Sequence, residues 1–381
     1  MRIFVHSATE CFTDYKPHGE GLIFNDYLNA LVDHGHVFEG YAGEVHLNCK
    51  IDGVTIHPLS INCIFRSFRY FKYNRAINRL FMKQVAEGER YDVVWRGNPM
   101  GEMCPVAPET SGLPLVVGPL YLSWSSKPQS STPSKLGPSL IAKRLAPLGW
   151  MKTLQKADLI FVTTASLKEG LDRDPAIQAT VAISPVMIDP PSHCLSQPKR
   201  PIFQLTWIGR LEDEKHPFLA LDVVRELVNQ GCSVTLNMIG DGVLRDGLHR
   251  YAAEHGISEQ VEFSGSIPNS KVWDIAAESH VLLSTARDEP YGRAILEGMA
   301  VGAVPVVDRS GGAVEFITDG KSGVLCDEHS AQGYVKRILP LISSPELWQK
   351  MGEQAREVTH QFSSQVVAAS MHSHLMALVN R

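Results

Sequence analysis

The sequence lacks the features that mark several protein classes. Its seven cysteines are an odd number and include no Cys-x-x-Cys pair, which indicates reduced thiols and neither a disulfide framework nor a zinc site. No apolar run approaches the roughly 18 residues of a membrane span. The apolar part of the first residues is too short for a signal peptide. We therefore expect a cytoplasmic protein.

Strong positive charge and a dinucleotide motif are also missing. The formal net charge is −5, which argues against a dedicated nucleic-acid binder, because such proteins are usually basic over a whole face. Neither half of the chain opens with Gly-x-Gly-x-x-Gly after its first strand, which disfavours a dehydrogenase. The apolar content of 44% and the charged content of 20% are those of an ordinary globular protein.

Short β-branched runs alternate with helical patterns along the chain, which predicts parallel α/β architecture. The first half has expected strands at Arg2–His6, His36–Tyr41, Gly53–His57, Asp92–Trp95, Leu115–Val117, Leu159–Val162 and Thr180–Ile183, and expected helices at Leu22–Asp33, Phe65–Glu89 and Trp150–Lys156. The second half has expected strands at Ile202–Ile208, Ser233–Ile239, Val261–Ser264, His280–Ser284, Val304–Val307 and Gly323–Cys326, with helices such as Pro217–Gln230 and Gly242–His255.

A length of 381 residues predicts two domains. The Pro- and Ser-rich stretch Asp189–Pro201 is poor in apolar residues and is interpreted as a linker, after which the strand–helix alternation starts again. We predict Rossmann-like domains at 1–190 and 201–360, a linker at 191–200, and a C-terminal helix at 361–381 that packs back toward the first domain. Two doubly wound domains that face each other would form a deep cleft.

The stretch Thr285–Val307 carries two carboxylates, Glu289 and Glu297. Pro290 and Gly292 interrupt any helix between them, so Glu289 is expected at a loop end and Glu297 about one turn into a helix that begins near Arg293. Both acids can then face the helix N-terminus, where backbone N–H groups attract anions. The alternative is a helix-N-terminal charge plus an ordinary partly exposed acid.

Two cations follow the first strand of the second half, in Gly-Arg-Leu-Glu-Asp-Glu-Lys-His-Pro. Arg210 suits bidentate phosphate contact and Lys215 acts as a point charge, so the pair could hold a diphosphate. The alternative is a solvated cluster in which both cations pair with neighbouring acids. Those acids are Glu212, Asp213 and Glu214.

Further motifs follow the next strands. Met238–Gly242 reads Met-Ile-Gly-Asp-Gly, and Val261–Pro268 reads Val-Glu-Phe-Ser-Gly-Ser-Ile-Pro. Glycines, cations and paired acids at successive strand ends of one sheet are typical of a nucleotide-diphosphate pocket.

Taken in order, these motifs resemble the retaining GT-B glycosyltransferases of glycosyltransferase family four (glycosyl transferases group 1). The resemblance covers most of 201–325 and includes Met-Ala-x-Gly-x-x-Pro-Val-Val and Gly311–Leu325. The first half is more loosely similar, through His18–Leu22, Asp33–Phe38 and Tyr91–Trp95. The resemblance implies an N-terminal acceptor-binding domain and a C-terminal nucleotide-sugar-binding domain.

The resemblance also implies residue roles. Arg210 and Lys215 would neutralise the donor diphosphate, and Glu289 would lie beside the donor sugar, so these three are the expected catalytic residues. Glu297 would bind the ribose hydroxyls, and 263–267 would hold the base. The expected donor-binding residues are Gly21, Gly209, Gly240, Phe263, Ser264, Ile267, Pro290, Tyr291, Gly292, Arg293 and Glu297.

The first half departs from the family pattern on the acceptor side. Family members often carry a histidine at the end of a strand there, but neither matching stretch, 93–99 or 116–124, contains one. His6 or His18 could substitute, although each also suits a structural role. The departing phosphate can itself accept the acceptor's proton in a same-face mechanism. The candidate acceptor contacts are His18, Arg96 and Tyr121.

We expect no metal and no cofactor other than the nucleotide sugar as co-substrate. The stretch Leu171–Pro175 mimics the Asp-x-Asp of metal-dependent transferases, but it lies at a helix end in the first domain, where turn chemistry explains it. Arg210 and Lys215 would take the place of Mg²⁺ at the diphosphate.

A basic and aromatic segment, Ile61–Ala86, contains six cations and no acid. It could rest on an anionic bilayer at the inner face of the membrane, and the acceptor would then be a lipid or a lipid-linked saccharide. The alternative is a solvated basic face with its aromatic residues in the core.

The sequence therefore predicts a hexosyltransferase-type enzyme. It would move a sugar, with retention, from a nucleotide-diphosphate sugar to a hydroxyl of a saccharide, lipid-linked saccharide or small molecule. The alternatives are a GT-B nucleotide-sugar epimerase and a noncatalytic nucleotide-sugar-binding partner subunit.

Overall fold

A computed structural model describes residues 1–7, 11–15, 19–61, 66–97, 106–120, 151–289 and 291–380. The chain divides into two compact units. The first consists of Met1–Met187 together with Ser364–Arg381, and the second of Ile188–Ser363. Among the described helices, none combines the length and the apolar character needed to cross a bilayer.

The first unit is built on a seven-stranded sheet in the order β5-β3-β1-β6-β7-β8-β9. Its strands are parallel: β1 (Arg2–His6), β3 (Val37–Ala42), β5 (Val54–Pro58), β6 (Val93–Arg96), β7 (Leu115–Leu120), β8 (Leu159–Val162) and β9 (Thr180–Ile183). Two short strands pair separately, β2 (Cys11–Thr13) with β4 (Glu44–His46). The helices are α1 (Gly19–Val32), α2 (Arg66–Ala86), α3 (151–156), α4 (Ala165–Asp172) and α11 (Ser364–Val379).

The second unit is built on a six-stranded parallel sheet in the order β12-β11-β10-β13-β14-β15. Its strands are β10 (Phe203–Ile208), β11 (Val234–Ile239), β12 (Val261–Gly265), β13 (Val281–Ser284), β14 (Val304–Asp308) and β15 (Val324–Cys326). Its α-helices are α5 (Pro217–Asn229), α6 (Arg245–Glu254), α7 (Asn269–Glu278), α8 (Arg293–Ala300), α9 (Ala331–Ser343) and α10 (Pro345–Thr359). Short 3₁₀ turns lie at Ser192–Ser196, Asp213–Lys215, Gly311–Glu315 and His360–Phe362.

The strands are apolar and buried because helices flank the sheets. All residues of β6, β8 and β14 are buried, which fits the unbroken apolar runs that parallel sheets carry when both faces are covered. The core of the second unit joins inward residues of its strands to α5, α9 and α10. The predicted α/β class and the predicted strand positions are confirmed.

The strand order fixes where a ligand site can form in the second unit. The chain runs from β10 outward through β11 to β12, then returns to β13 on the other side of β10 and continues to β15. The direction of winding reverses between β10 and β13. Such a switch point leaves a crevice beyond the carboxyl ends of the two strands, which is where open α/β sheets bind ligands.

The segment 189–201, interpreted as a linker, belongs to the compact second unit. Ser192–Ser196 forms a 3₁₀ turn there, and Cys194 within it is buried. The last helix, α11, is grouped with the first unit and packs against α1.

Candidate functional site

The loop after β10 holds Lys215 by its backbone. The hydroxyl of Thr285, just beyond β13, donates to the carbonyls of Lys215 at 3.0 Å and His216 at 2.9 Å. The same hydroxyl accepts the indole N–H of Trp207 at 2.9 Å. His216 takes a left-handed conformation with φ 48° and is the N-cap of α5. The ends of β10 and β13 are thereby tied together at the switch point.

Lys215 and Glu289 form an ion pair between these two loops. Their side chains are 22% and 21% exposed, so the pair is partly screened from water yet reachable by it. Both residues were predicted to serve one ligand, and the fold brings them into direct contact. The alternative interpretation, in which Lys215 pairs with the acids of its own loop, does not describe Lys215, because the described carboxylate that it contacts is that of Glu289.

Arg210 behaves differently from Lys215. Its guanidinium donates to Glu212 at 2.5 Å and also to Glu214, and its side chain is 61% exposed. The alternative interpretation of the sequence, a solvated charge cluster, therefore describes Arg210 in this structure. Surface ion pairs of this kind contribute about 0–1 kcal/mol to stability. An anion that binds Arg210 more strongly can therefore replace Glu212 and Glu214 as its partner.

The backbone of Glu289 is held by two glycines. Its carbonyl accepts the N–H of Gly312 at 2.8 Å. Gly311 has φ +68°, and a Cβ there would lie 2.2 Å from the same carbonyl oxygen. Only glycine fits this close approach, so the turn after β14 fixes the position of Glu289. Pro290, predicted to bind the donor, lies outside the described residues.

The helix α8 begins at Arg293, as predicted, after Gly292 with φ 78° at its N-cap. Glu297 lies one turn in and is buried, where it accepts from Arg293 Nε at 3.0 Å and Asn269 Nδ2 at 3.3 Å. A buried carboxylate held in this way is a fixed acceptor for a ligand hydroxyl. The buried ring of Tyr291 packs against Phe316 and Phe362, so a donor contact from this residue would come from its backbone.

The loops after β11 and β12 adjoin the loop after β10. Gly240 has φ 135°, and a Cβ there would lie 1.8 Å from the carbonyl oxygen of Gly209, so a side chain is excluded. The N–H of Gly240 donates to the carbonyl of Gly265 at 2.9 Å, and Leu211 N–H donates to Asp241 at 2.9 Å. Backbone contacts at the predicted glycines thus hold the ends of three strands next to one another.

The residues predicted to hold the base are half-buried at the end of β12. Phe263 packs its ring 4.0 Å from that of His249, and Ser264 donates to the Asn237 side chain at 2.8 Å. Ile267 follows, also half-buried. Because β12 lies two strands from β10, these residues are at the same carboxyl edge of the sheet as Lys215.

The sequence reasoning missed several residues that position the site. His216 is one of them: its ring lies 4.8 Å from that of His329, whose Nδ1 is 2.9 Å from Asp308. Burial lowers the pKa of His216 most, and the nearby charge of His329 lowers it further. The lowered pKa favours the neutral form of His216 beside Lys215. Thr285 and Asn269 are two others. The only sequence signal for them is their position, since Thr285 follows a strand end and Asn269 begins a helix.

In the first unit the candidate acceptor residues are less available. Arg96 has no accessible surface and donates to Val106 O at 2.9 Å and to Thr153 at 3.3 Å. An acceptor does not reach it in this structure, and its acceptor role stays a prediction. Gly21, expected in a turn before the helix, lies in the first turn of α1, which begins at Gly19. His18 and Tyr121 lie outside the described residues.

His6 ends β1 and is fully buried, with Nε2 2.8 Å from the Asn78 side-chain oxygen. Burial and the charge of Arg96 lower its pKa to about 3, so it is neutral at pH 7. These contacts are those of a structural histidine. The Asp-x-Asp mimic is turn chemistry, as interpreted from the sequence: Asp174 accepts the N–H of Ala176 at 2.9 Å, and Asp172 pairs with Lys168.

Sequence comparison points to one family. Residues 198–358 match the family described as "Glycosyl transferases group 1". The chain is 28% identical over 228 residues to the lipopolysaccharide core biosynthesis glycosyltransferase LpsE of Rhizobium meliloti, covering 60% of this chain and 59% of that protein. It is 29% identical over 257 residues to a GDP-mannose-dependent alpha-(1-6)-phosphatidylinositol dimannoside mannosyltransferase of Mycobacterium tuberculosis, covering 64% of each. The chain thus spans less than two thirds of the length of these relatives.

Solved structures share the fold over nearly the whole length of the chain. A sucrose-phosphate synthase from Thermosynechococcus elongatus has a TM-score of 0.75 at 14% identity, over 100% of this chain and 99% of that one. Anabaena Alr3699/HepE in complex with UDP and glucose has a TM-score of 0.69 at 17% identity, over 99% of each chain. Residues 198–358 of this chain are thus similar to the group 1 glycosyltransferases, and its two Rossmann-like units have the GT-B fold.

Proposed function

We propose that the protein is a retaining glycosyltransferase that moves a sugar from a nucleotide-diphosphate sugar to an acceptor hydroxyl. One observation carries the proposal: the partly exposed Lys215–Glu289 ion pair lies at the switch point of the second sheet. The match of residues 198–358 to the group 1 glycosyltransferases supports this activity, as do the activities in the names of the relatives.

The ion pair suggests how the donor is bound. A diphosphate would draw Lys215 from Glu289, because two phosphates offer the ammonium more negative charge than one carboxylate. Arg210 would leave its exposed partners for the same group. The released Glu289 carboxylate would then accept a hydroxyl of the donor sugar, while buried Glu297 holds the ribose hydroxyls. Amides at the start of α8 would add donors to the distal phosphate.

The reaction follows from this arrangement. The bond between the anomeric carbon and the phosphate oxygen breaks, and positive charge grows on the sugar beside Glu289. Lys215 and Arg210 stabilise the negative charge that grows on the leaving diphosphate. The acceptor oxygen forms its bond on the same face, and its proton passes to the departing phosphate oxygen. The two side-chain cations do the work that Mg²⁺ does in metal-dependent transferases, so we propose metal-independent transfer.

We propose a saccharide or lipid-linked saccharide as the acceptor. Two relatives are named for lipopolysaccharide core biosynthesis and for a phosphatidylinositol dimannoside. The helix α2 adds a physical argument, since its exposed cations recur at helical spacing along one face. They are Lys72, Arg75, Arg79 and Lys83. We propose that this basic stripe contacts anionic lipid headgroups at a membrane surface.

The opposite face of α2 limits that proposal. Tyr73, Ile77 and Phe81 are buried in the core of the first unit, so these side chains do not enter a bilayer. The contact would therefore be electrostatic and sensitive to salt. Flotation with anionic vesicles at low salt should recover the protein, and neutral vesicles should not. A variant with Lys72, Arg75 and Arg79 changed to Gln should stay at the bottom, and wild-type-like flotation of this variant would reject the stripe.

The donor is identified by a thermal-shift panel of UDP-, GDP-, ADP- and dTDP-sugars. A donor at about 100 times its dissociation constant adds roughly 2.7 kcal/mol to the free energy of unfolding, which raises the melting temperature measurably. The stabilising donor is then incubated with saccharide and lipid-linked acceptors, and the free nucleoside diphosphate and the glycosylated product are measured. Binding without product would favour a noncatalytic subunit, and conversion of the donor sugar without an acceptor would favour an epimerase.

A further inference from the structure

A second cluster of reactive side chains lies in the second unit, on the 3₁₀ turn Ser192–Ser196 and the helix α7. His193 Nε2 is 2.9 Å from Asp274 Oδ1 and 3.3 Å from the Cys194 sulfur, and that sulfur is 3.9 Å from the same Asp274 oxygen. Three different ligand-type atoms therefore converge on one point. We propose that His193, Cys194 and Asp274 form a binding site for a divalent transition-metal ion of the zinc class.

The spacing of these atoms fits a tetrahedral ion. Zinc lies about 2.3 Å from a thiolate sulfur and about 2.0–2.2 Å from a histidine nitrogen or carboxylate oxygen. In a tetrahedron these bond lengths put the ligand atoms about 3.3–3.6 Å apart. Of the observed separations, 2.9 Å lies below this range, 3.3 Å at its lower limit and 3.9 Å above it. Shifts of a few tenths of an ångström would complete the face of a tetrahedron.

The three side chains are held in place by their surroundings. The N–H of Cys194 donates to the carbonyl of Pro191 at 2.9 Å, and the residue is buried. The second oxygen of Asp274 pairs with Lys271 at 3.2 Å, which leaves the first oxygen directed at His193. The side chain of His193 is 62% exposed, so solvent reaches the cluster from its side. The fourth position would be open to water, as in zinc sites with three protein ligands.

The chemistry of the cluster fits an ion better than a nucleophile. A catalytic thiol must be reached by substrate, but Cys194 is 1% exposed. A divalent ion instead requires the thiolate, whose proton is released to solvent on binding. Thiolate and carboxylate together balance the two positive charges, and neutral His193 completes the set.

Metal binding would fasten Ser192–Ser196 to α7. That helix begins at Asn269, whose side chain donates to Glu297 in the candidate donor site. The ion would thus stiffen a helix that supports the donor site, without touching the diphosphate. This role is separate from the metal-independent transfer proposed above, and either proposal can fail alone.

The chain offers a matched comparison cluster. Cys11, Glu44 and His46 on the strands β2 and β4 also bring a thiol, a carboxylate and an imidazole within 4.8 Å of one another. Cys11 is buried like Cys194. Because this cluster offers the same three ligand types, Cys11→Ser shows which of the two clusters gives the Co²⁺ spectrum, and it also controls for loss of a buried thiol.

The test is a Co²⁺ titration of the full-length chain after treatment with a chelator. We expect one equivalent of Co²⁺ to give a sulfur-to-cobalt charge-transfer band together with the visible bands of tetrahedral Co²⁺, and Zn²⁺ to displace it. His193→Ala, at an exposed position that tolerates substitution, should weaken the affinity at least about 100-fold, since loss of an outer-shell partner alone can cost 10–100-fold. Cys194→Ser should abolish the charge-transfer band, and Asp274→Asn should weaken binding.

Cys11→Ser should keep the wild-type spectrum. The proposal is overturned if wild type gives no charge-transfer band, if the band survives in His193→Ala with unchanged affinity, or if Cys11→Ser removes it. If Cys194→Ser fails to fold, the His193→Ala result decides alone. Circular dichroism of each variant without metal distinguishes loss of a ligand from loss of the fold.

Discussion

Charged residues near the strand ends have different environments in the two sheets. In the first unit, Arg96 at the end of β6 is fully buried and bonds to a carbonyl, a hydroxyl and an amide of its own unit. In the second unit, Lys215 and Glu289 follow β10 and β13, stay about one fifth exposed and pair with each other. A buried cation with neutral partners holds its unit together, whereas an accessible ion pair can be exchanged for a charged ligand.

The largest effect is expected at the ion pair. Glu289→Gln and Lys215→Met should each lower turnover about 10²–10³-fold, the size seen when one electrostatic contact to the transition state is removed. Melting temperatures should change little, because both side chains keep access to water. Turnover with the identified donor measures this, and Glu212→Gln in the same loop as Lys215 is the control. A wild-type-like rate in Glu289→Gln or Lys215→Met would contradict the assignment.

Arg96 should instead affect stability. Arg96→Met removes three hydrogen bonds inside the unit, to the Val106 carbonyl, Thr153 and Asn74, so the free energy of unfolding should fall by about 3 kcal/mol. Urea unfolding measures the change. Arg79→Met, at an exposed position on α2, should stay within about 0.5 kcal/mol of wild type. An unchanged urea midpoint for Arg96→Met would mean that the buried charge does not stabilise the first unit.

A pair of glycines tests whether Glu289 needs its backbone support. Gly311 and Gly320 both have positive φ, 68° and 75°, so alanine pays similar strain of about 1–2 kcal/mol at either position. A Cβ at Gly311 meets the Glu289 backbone, whereas a Cβ at Gly320 meets nothing within 4 Å. Gly311→Ala should therefore lower turnover about tenfold, or about 1.4 kcal/mol in barrier, while Gly320→Ala keeps the wild-type rate. Equal rates in the two variants would exclude steric positioning of Glu289.

The smallest effect concerns pH and the strand end of β1. The pKa of His6 falls from 6.5 to about 3 on folding, so between these values the unfolded chain binds a proton that the folded chain does not. The free energy of unfolding should fall as the pH drops below 6.5, by up to about 1.4 kcal/mol per pH unit from this residue. His6→Gln should show a shallower fall, measured by urea unfolding at pH 6.5 and 5.5. Exposed His360→Gln is the control and should match wild type; an identical slope for His6→Gln would contradict burial of a neutral imidazole.

Much of the fold and part of the site follow from the sequence. Apolar runs of strand length locate the strands of both sheets, and Pro290 and Gly292 place the start of α8 at Arg293. Lys215 and Glu289 could be assigned to one ligand because they follow strands whose carboxyl ends share an edge. The strands Cys11–Thr13 and Glu44–His46 were missed, since three residues carry too little periodicity.

Other features depend on tertiary contacts that spacing does not encode. Three acids lie within four residues after Arg210, so the sequence alone does not show whether Arg210 pairs with them or with a ligand. That depends on side-chain geometry. The cluster of His193, Cys194 and Asp274 joins residues about 80 positions apart, so the cysteine pattern pointed away from a metal site. The burial of Arg96 was equally hidden, because an arginine at a strand end is usually exposed.

The grouping of α11 with the first unit has a consequence for how the protein is made. A ribosome delivers the whole contiguous second unit before it delivers Ser364–Val379, the helix that packs on α1. The buried side chains of that helix include Val367, Met371 and Leu375. The second unit can therefore complete its structure during synthesis, whereas the first must wait, with the α1 surface uncovered, until α11 has been synthesised.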